Sequence, residues 1–272
     1  MENKQAVPVV TMQPTPGAGH GQYPTTGGWT GSEHVRYCPP GLEYLSQVDQ
    51  VLIKQQVELL EVFVGWEGCN KYVIRNSMGQ QIYFAAEKSN FCARQICGAY
   101  RGFKVHITDN FNKEVIRVIR PFKCCVPVAC CNYCACFPCC AGEIYVEAPP
   151  GLIGTVEQSC GFRTKFKVKD SSGYVKARIV GPLCPWLKCF CCDFKFHVYT
   201  ADGNQKIGCV SKQFSGFVQE LFTDADNFGI TFPMSMDVKM KATLLATAFL
   251  IDFMEFEDSA SAEPDPTKIT NR

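Results

Sequence analysis

Short runs in which apolar and polar residues alternate, each followed by turn residues, recur along the chain from Pro39 onward. A period of two predicts strands with one buried face, and the turn residues between them predict hairpins. Asn76 to Gly79, Asp170 to Gly173 and Asp202 to Asn204 each supply residues that tolerate left-handed backbone. The predicted strands are 71–76, 80–87, 103–108, 114–119, 165–169, 174–180, 194–199 and 205–210. This pattern predicts a mainly β, antiparallel fold.

Two stretches of the chain resemble each other in sequence. FKVHITDNFNKEVIRVIRPFKCC resembles FKVKDSSGYVKARIVGPLCPWLKC, with Asp109 matched to Asp170 and Pro121 to Pro182. Such a repeat suggests a duplicated β-module whose halves close against each other. A closed or nearly closed barrel is the expected form, because closure leaves no exposed strand edge.

Both ends of the chain differ in composition from the middle. Residues 1–38 and 258–272 have too few apolar side chains to offset the entropy cost of folding, and we expect both to be disordered tails. The domain is expected over 39–257. Four prolines between residues 8 and 24 make the first tail a candidate ligand for SH3 or WW modules. The N-terminus lacks the pattern of a secretory signal, so we expect a protein made in the cytosol.

Charge and motifs argue against two classes of function. The chain has 27 Lys and Arg against 26 Asp and Glu, so no basic excess is available to neutralise a nucleic-acid backbone, and no nucleic-acid partner is expected. The sequence has no Gly-x-Ser-x-Gly elbow, no His-Glu-x-x-His pair and no glycine-rich phosphate loop. We therefore expect a protein that is not an enzyme.

A predicted helix over 238–256 carries an uncharged apolar stretch from Ala242 to Ile251. A bilayer-spanning helix needs about 20 mostly apolar residues. Here the uncharged stretch has ten residues, and Asp252 follows it. A helix that is apolar on almost every side can instead fill the inside of a β-barrel. We favour the helix as a barrel plug, with a membrane span as the alternative.

Eight cysteines lie between Cys124 and Cys140, interleaved with Val, Phe, Tyr and Pro. Two Cys-x-x-Cys pairs have the spacing of zinc ligands, but only Ala135 separates them, which leaves no room for two knuckles to face each other. The apolar interleaving suits a loop that lies against a membrane and is S-palmitoylated. Burial of these thiols in a core, or ligation of an iron–sulfur cluster, remains the alternative.

The twelve residues from Asp224 to Ser235 resemble an EF-hand loop in part. They begin Asp-x-Asp and have Gly229 at position six. Phe228 and Phe232 occupy positions five and nine, where an EF-hand normally has oxygen ligands. On spacing alone, a helix exit and turn with Gly229 as its left-handed residue is the favoured interpretation.

Five motifs together point to a family. They are PPGLEYL at 39–45, CFPCC at 136–140, EAPPG at 147–151, FTDADNFGI at 222–230, and DVKMKA with FLIDFM within 237–254. The chain from Pro39 to Glu257 resembles the palmitoylated, single-helix phospholipid scramblases. The resemblance implies a tubby-like fold, a closed antiparallel barrel of about twelve strands around the hydrophobic C-terminal helix. It also implies calcium-stimulated, ATP-independent movement of phospholipids between leaflets in both directions.

The resemblance also implies an acylated segment. The family's acylated cysteine motif falls on three residues, and three neighbours are further candidates. These are Cys136, Cys139 and Cys140, and then Cys130, Cys131 and Cys134.

The calcium segment implied by the resemblance falls on 224–235. Asp224, Asp226 and Ser235 would bind through side chains, and Phe228 and Ile230 through backbone carbonyls. Ser235 stands where relatives carry an aspartate.

The same resemblance implies membrane phospholipids as partners, a place on the cytoplasmic face of the plasma membrane, and homo-oligomerisation as the route to transport. A second hypothesis is a membrane-anchored adaptor that binds lipid or protein partners and does not itself translocate lipid.

Overall fold

The structure is a computed structural model. It describes residues 38–56, 70–88, 102–123, 140–149, 151–161, 163–182, 194–212 and 227–255. Several predictions concern residues outside these ranges: the predicted tail over 1–38 except for Cys38, the tail over 258–272, the cysteines from 124 to 139, and Asp224 and Asp226.

Within the described residues, twelve antiparallel strands close into one barrel. The strands are β1 Gln50–Gln56, β2 Lys71–Asn76, β3 Gln81–Lys88, β4 Phe103–Thr108, β5 Glu114–Arg120, β6 Glu143–Ala148, β7 Gly151–Ser159, β8 Lys165–Asp170, β9 Val175–Val180, β10 Lys195–Thr200, β11 Lys206–Lys212 and β12 Asn227–Thr231. Each strand pairs with the next, and β12 pairs with β1 to complete the ring. A short helix, α1 (Glu43–Ser46), precedes β1, and a long one, α2 (Val238–Glu255), follows β12. The predicted fold class is confirmed.

In most strands the alternation of side chains separates the inside of the barrel from the outside, whereas β2 and β3 are buried on both faces. In β6, Ile144 and Val146 are fully buried, whereas Tyr145 between them is exposed. In β4, Val105 and Ile107 are fully buried, and their neighbours are accessible. In β4 and β6 every second side chain therefore faces a core inside the ring, as a period of two requires.

The two stretches that match each other in sequence are hairpins with the same turn. At Asp109 and at Asp170, the side-chain Oδ1 accepts hydrogen bonds from the backbone N–H groups two and four residues further on. Asn112 and Gly173 supply the left-handed residue, with φ of 59° and 83°. The hairpins β4–β5 and β8–β9 lie four strands apart in the ring, whereas two equal halves of a twelve-stranded ring would place them six strands apart. The sequence repeat therefore reflects a recurring hairpin, and the expected duplication into two barrel halves is not observed.

The up-and-down order gives the barrel two different ends. At one end, which we call the tight-turn end, the strands are joined by 77–80, 109–113, 149–150, 171–174 and 201–205. At the other, which we call the long-connection end, the chain leaves β1, β3, β5, β7, β9 and β11 and returns to the strand that follows each of them. Because β12 ends at the tight-turn end, α2 begins there and runs toward the long-connection end.

Helix α2 fills the inside of the barrel. Every residue from Lys241 to Ile251 is buried. Its two buried hydroxyl groups are satisfied within the helix, since Thr243 Oγ1 donates to Lys239 O and Thr247 Oγ1 donates to Thr243 O, both at 2.8 Å. In the part of the chain that the structure describes, no helix combines the length and apolar character that crossing a bilayer requires. The plug interpretation is confirmed.

The fit between α2 and the barrel wall is close along the whole helix. Near its start, a Cβ atom on Gly154 of β7 would lie 2.5 Å from Thr243 Oγ1, so the wall needs glycine at this position. Near its end, Phe249 packs edge-on against Tyr72 with ring centroids 5.1 Å apart, and Phe253 packs on Phe103 at 4.1 Å.

A buried cation fixes the start of α2. Lys241 is fully buried, and its Nζ donates to the backbone carbonyls of Leu45, Val48 and Met234 at 3.0, 2.8 and 3.0 Å. The ammonium group also lies 5.2 Å from the centre of the Phe232 ring. Burial lowers the pKa of Lys241. These contacts join α2 to α1, to the residues that follow α1, and to the turn after β12.

We expect Lys241→Ala to lower the free energy of unfolding by about 3 kcal/mol, because it removes three hydrogen bonds to a charged donor and leaves buried carbonyls short of a partner. Urea unfolding of the full chain followed by circular dichroism measures this loss. Lys239→Ala, on the same turn of α2 but only partly buried, is the matched control and should change stability by no more than about 0.5 kcal/mol. Equal effects of the two substitutions would contradict the role given to Lys241.

Candidate membrane-facing end of the barrel

The segments predicted to carry function join the barrel at its long-connection end. β5 ends and β6 begins there, so the cysteine-rich stretch 124–140 departs from and returns to that end. β11 ends and β12 begins there too, which places the attachment of Asp224 and Asp226 within three residues of β12. The β5–β6 and β11–β12 boundaries are six strands apart, on opposite sides of a ring of twelve. The C-terminal end of α2 emerges between them.

An ion pair joins the two bases of the cysteine-rich stretch. Lys123 precedes the first of these cysteines, Glu143 begins β6, and Lys123 Nζ lies 2.5 Å from Glu143 Oε2 with both side chains only about one-fifth exposed. The Tyr145 hydroxyl donates to the other carboxylate oxygen. Burial alone would raise the pKa of Glu143, but the hydrogen bonds from Lys123 and Tyr145 overcome it and lower that pKa below its usual value.

Cys140 is the one predicted acylation residue that the structure describes. It is partly buried at the turn that leads into β6, and its sulfur is disulfide-bonded, as is that of Cys160 just beyond β7. Acylation requires a free thiolate, so the prediction for Cys140 concerns the reduced protein. Cys130, Cys131, Cys134, Cys136 and Cys139 lie outside the described residues, and their acylation stays a prediction.

The carboxylate that interrupts the apolar stretch of α2 lies at this same end. Asp252 is partly buried, and its Oδ2 accepts a hydrogen bond of 3.3 Å from the Tyr72 hydroxyl at the start of β2. A charged group in the middle of a membrane span is costly. At the mouth of the barrel, Asp252 instead has a polar partner and access to solvent.

The predicted calcium segment divides between a strand and a turn. Phe228 and Ile230 lie in β12, which pairs with β1 on one side and β11 on the other, and both side chains are buried in the core. The five residues of β12 are extended over about 13 Å. Ser235 follows the far end of that strand and is exposed.

These placements do not have the form of a closed twelve-residue loop around one ion. A backbone carbonyl of Phe228 or Ile230 that turned toward a metal would have to leave the β12 ladder. In the described ranges, no group of three or more His, Cys, Asp or Glu side chains gathers as a metal site. Asp224 and Asp226 lie outside the described residues, and calcium binding stays a prediction.

The Lys123–Glu143 pair is a feature of the site that the sequence reasoning missed. Its signal was present, because opposite charges stand immediately outside the cysteine run, one before Cys124 and one three residues after Cys140. That signal becomes meaningful only once β5 and β6 are known to be neighbours, since pairing brings the ends of the run together.

The protein thus belongs to the class of closed antiparallel β-barrels that have an apolar helix as their core. A cysteine-rich connection is attached at one end of this barrel. Comparison with protein families then identifies the family. The model described as Scramblase matches residues 30–258. The chain belongs to the scramblase family.

Individual relatives agree with the family match. The chain is 48% identical over 231 residues to phospholipid scramblase 1 of Mus musculus, covering 83% of this chain and 66% of the relative. It is 47% identical over 251 residues to phospholipid scramblase 2 of Bos taurus, covering 90% of this chain and 82% of the relative. The chain thus spans slightly less than two thirds of the Mus musculus protein. No solved structure matches it.

The Lys123–Glu143 pair predicts a specific pH dependence. The pKa of Glu143 is lower in the folded protein than the usual 4.5, so the pair stabilises the fold above pH 4.5, and this contribution is lost as pH falls through the lowered pKa. We expect Glu143→Gln to cost about 1 kcal/mol at pH 7 and nothing at pH values below that pKa. Urea unfolding between neutral and acidic pH measures the difference.

The matched control for this experiment is Glu157→Gln. Glu157 Oε1 lies 2.5 Å from Lys169 Nζ on neighbouring strands, but its side chain is 42% exposed. We expect it to lose less stability than Glu143→Gln at neutral pH. A difference between wild type and Glu143→Gln that stays constant at every pH would contradict the assignment.

Proposed function

We propose that this chain is a phospholipid scramblase, which moves intact phospholipids between the two leaflets of a membrane in both directions, without ATP and under stimulation by calcium. The extent of the family match carries the proposal, because residues 30–258 include every strand of the barrel and all of α2. Relatives named phospholipid scramblase 1 and phospholipid scramblase 2 are 47 to 48% identical to the chain. Transport of an intact lipid makes and breaks no covalent bond, so the protein would not be an enzyme in the usual sense.

We further propose that acylation attaches the long-connection end to the cytoplasmic face of the plasma membrane. Cys136, Cys139 and reduced Cys140 are the first candidates, all within the connection between β5 and β6. One acyl chain gives reversible binding, whereas two give stable attachment. Both bases of this connection lie on the same rim, so attached chains would hold that rim toward the bilayer.

In this proposal α2 remains the core of the barrel during transport. Withdrawing it would expose the apolar inner face of twelve strands and break the three hydrogen bonds of Lys241. The path of the lipid headgroup would then run between copies of the chain on the membrane. Homo-oligomerisation is for this reason part of the proposal.

One observation favours a second function. Because α2 is buried and the described helices include no span, the barrel has the form expected of an adaptor that binds a membrane surface and protein partners. The proline-containing tail before the barrel would recruit SH3 or WW modules. On this account the protein binds lipid without translocating it.

Reconstitution separates the two functions and tests the calcium loop. We expect the purified, full chain in liposomes to exchange a fluorescent phospholipid between leaflets, faster with calcium than with a chelator. Asp224→Asn with Asp226→Asn should abolish most of the calcium stimulation, because it removes both carboxylates of the segment. Dithionite quenching of the labelled lipid reports the exchange.

The control variant also loses two carboxylates, but at a different place in the barrel. Asp170→Asn with Asp202→Asn neutralises two aspartates in turns at the tight-turn end, where an asparagine Oδ1 can still accept the turn hydrogen bonds. This variant should respond to calcium like the wild type. If the incorporated wild-type protein gives no exchange with or without calcium, the adaptor function is supported and transport is not.

A further inference from the structure

Two lysines face each other directly across neighbouring strands at the long-connection end. Lys88 is the last residue of β3, and its partner in the β3–β4 register is Lys104. Both side chains are exposed on the outer face of the sheet. Like charges directly opposite each other destabilise a sheet. In the part of the chain that the structure describes, no carboxylate lies within ion-pair range of either lysine.

The two lysines line a cavity with further positive groups. The cavity has a volume of about 520 Å³ and lies at the rim where β3 ends and β4 begins. Arg117, Arg120 and the ring of His106 line it as well. Arg117 is paired with Glu114 and Glu147, and Arg120 is buried. The exposed positive charge of this cavity therefore comes from Lys88 and Lys104, which raise the local potential although the chain as a whole has a net charge of only +1.

Two carboxylates, Glu114 and Glu147, pair with Arg117 on one side of this cavity. Glu114 bonds His106 Nδ1 at 2.8 Å through one oxygen and Arg117 Nε at 2.6 Å through the other. Both oxygens of Glu114 are therefore engaged by side chains that line the cavity, and this carboxylate compensates the charge of Arg117 but not that of Lys88 or Lys104. Lys104 lies two residues closer to the rim than His106, and Glu114 is paired with Thr108 on the other side of His106. The Lys88–Lys104 pair is therefore farther from this carboxylate than His106 is.

We infer that this rim cavity binds the phosphate group of an anionic lipid headgroup. A phosphate between Lys88 and Lys104 converts their repulsion into two charge-assisted contacts. The cavity opens at the end of the barrel where the cysteine-rich connection is attached, so a bilayer held there presents headgroups to it. The site would select the anionic leaflet, which is a property separate from lipid translocation and does not require it.

Vesicle binding by the full, unacylated chain with calcium chelated tests this inference. Vesicles of phosphatidylcholine containing about one part in five phosphatidylserine imitate an anionic leaflet, and phosphatidylcholine alone is the neutral reference. We expect Lys88→Gln with Lys104→Gln to lower the partition coefficient on the anionic vesicles by roughly 10- to 30-fold and to leave it unchanged on neutral ones. The wild-type preference should fall with rising salt.

The matched control removes two lysines from the other end. Lys113 and Lys206 are exposed at the tight-turn end, and Lys113→Gln with Lys206→Gln should keep the wild-type preference for anionic vesicles. An equal loss in both double variants would show that overall charge, and not this cavity, drives binding, and would overturn the inference. A thermal melt supplies a second readout, since removing the Lys88–Lys104 repulsion should leave the protein at least as stable as the wild type. A marked loss of stability would also overturn it.

A soluble phosphate uses the same chemistry and is distinguished by competition. If the cavity serves the lipid headgroup, inorganic phosphate at constant ionic strength should not displace the wild type from anionic vesicles. Binding of inorganic phosphate that depends on Lys88 and Lys104, without any difference between variants on vesicles, would assign the cavity to a soluble anion and overturn the lipid assignment. None of these measurements depends on whether the chain scrambles lipid.

Discussion

The inside of a twelve-stranded barrel has to be filled, and the rest of this structure depends on how α2 fills it. Eight strands enclose a space that their own side chains can occupy, and a larger ring leaves room for more. A helix about 10 Å across suits that room, because its backbone hydrogen bonds are internal and it adds no polar edge to the core. The remaining polar groups of α2 are accommodated locally, with Thr243 and Thr247 bonded to the preceding turn. Lys241 is satisfied by three carbonyls.

This arrangement assigns different tasks to the two ends. The tight-turn end holds the start of α2 through Lys241, and its short hairpins repeat one turn geometry at Asp109 and Asp170. The long-connection end carries the bases of the cysteine-rich stretch, joined by Lys123 and Glu143. Membrane attachment, lipid recognition and any response to calcium would therefore act at one rim, while the opposite end keeps the core closed.

The hairpins and the plug could be predicted from sequence because their signals are local. Alternation and turn residues predicted β2 to β5 and β8 to β11 to within two residues at each end. β12 was missed because its residues lie inside a segment that begins Asp-x-Asp and was interpreted as a calcium loop. β1, β6 and β7 were also missed. β6 alternates clearly and a further search for alternation would have found it, whereas β7 does not alternate along its length.

Other features depend on contacts between distant parts of the chain. In the sequence, Lys241 is a charged residue just before an apolar stretch, and nothing near it predicts that it is buried. One of the carbonyls that accept hydrogen bonds from its ammonium group belongs to Leu45, 196 residues earlier in the chain. The opposition of Lys88 and Lys104 depends on the register of β3 against β4 across a 14-residue connection, which no local pattern specifies. The proposed calcium ligands are a third case. Phe228 and Ile230 lie in a strand, Ser235 lies in a turn, and Asp224 and Asp226 lie outside the described residues, so the structure does not test them as one set.

The most direct test of this account is whether α2 stays inside the barrel while the protein acts on a membrane. A Phe249→Trp variant in which Trp29, Trp66 and Trp186 are changed to Phe reports the position of α2, since Phe249 is 1% exposed within the barrel. Vesicles of brominated lipid quench tryptophan that enters the acyl region. The account predicts no quenching by these vesicles, with or without calcium, while the protein is bound. Strong quenching that accompanies calcium-stimulated exchange would show that α2 enters the bilayer and would contradict it.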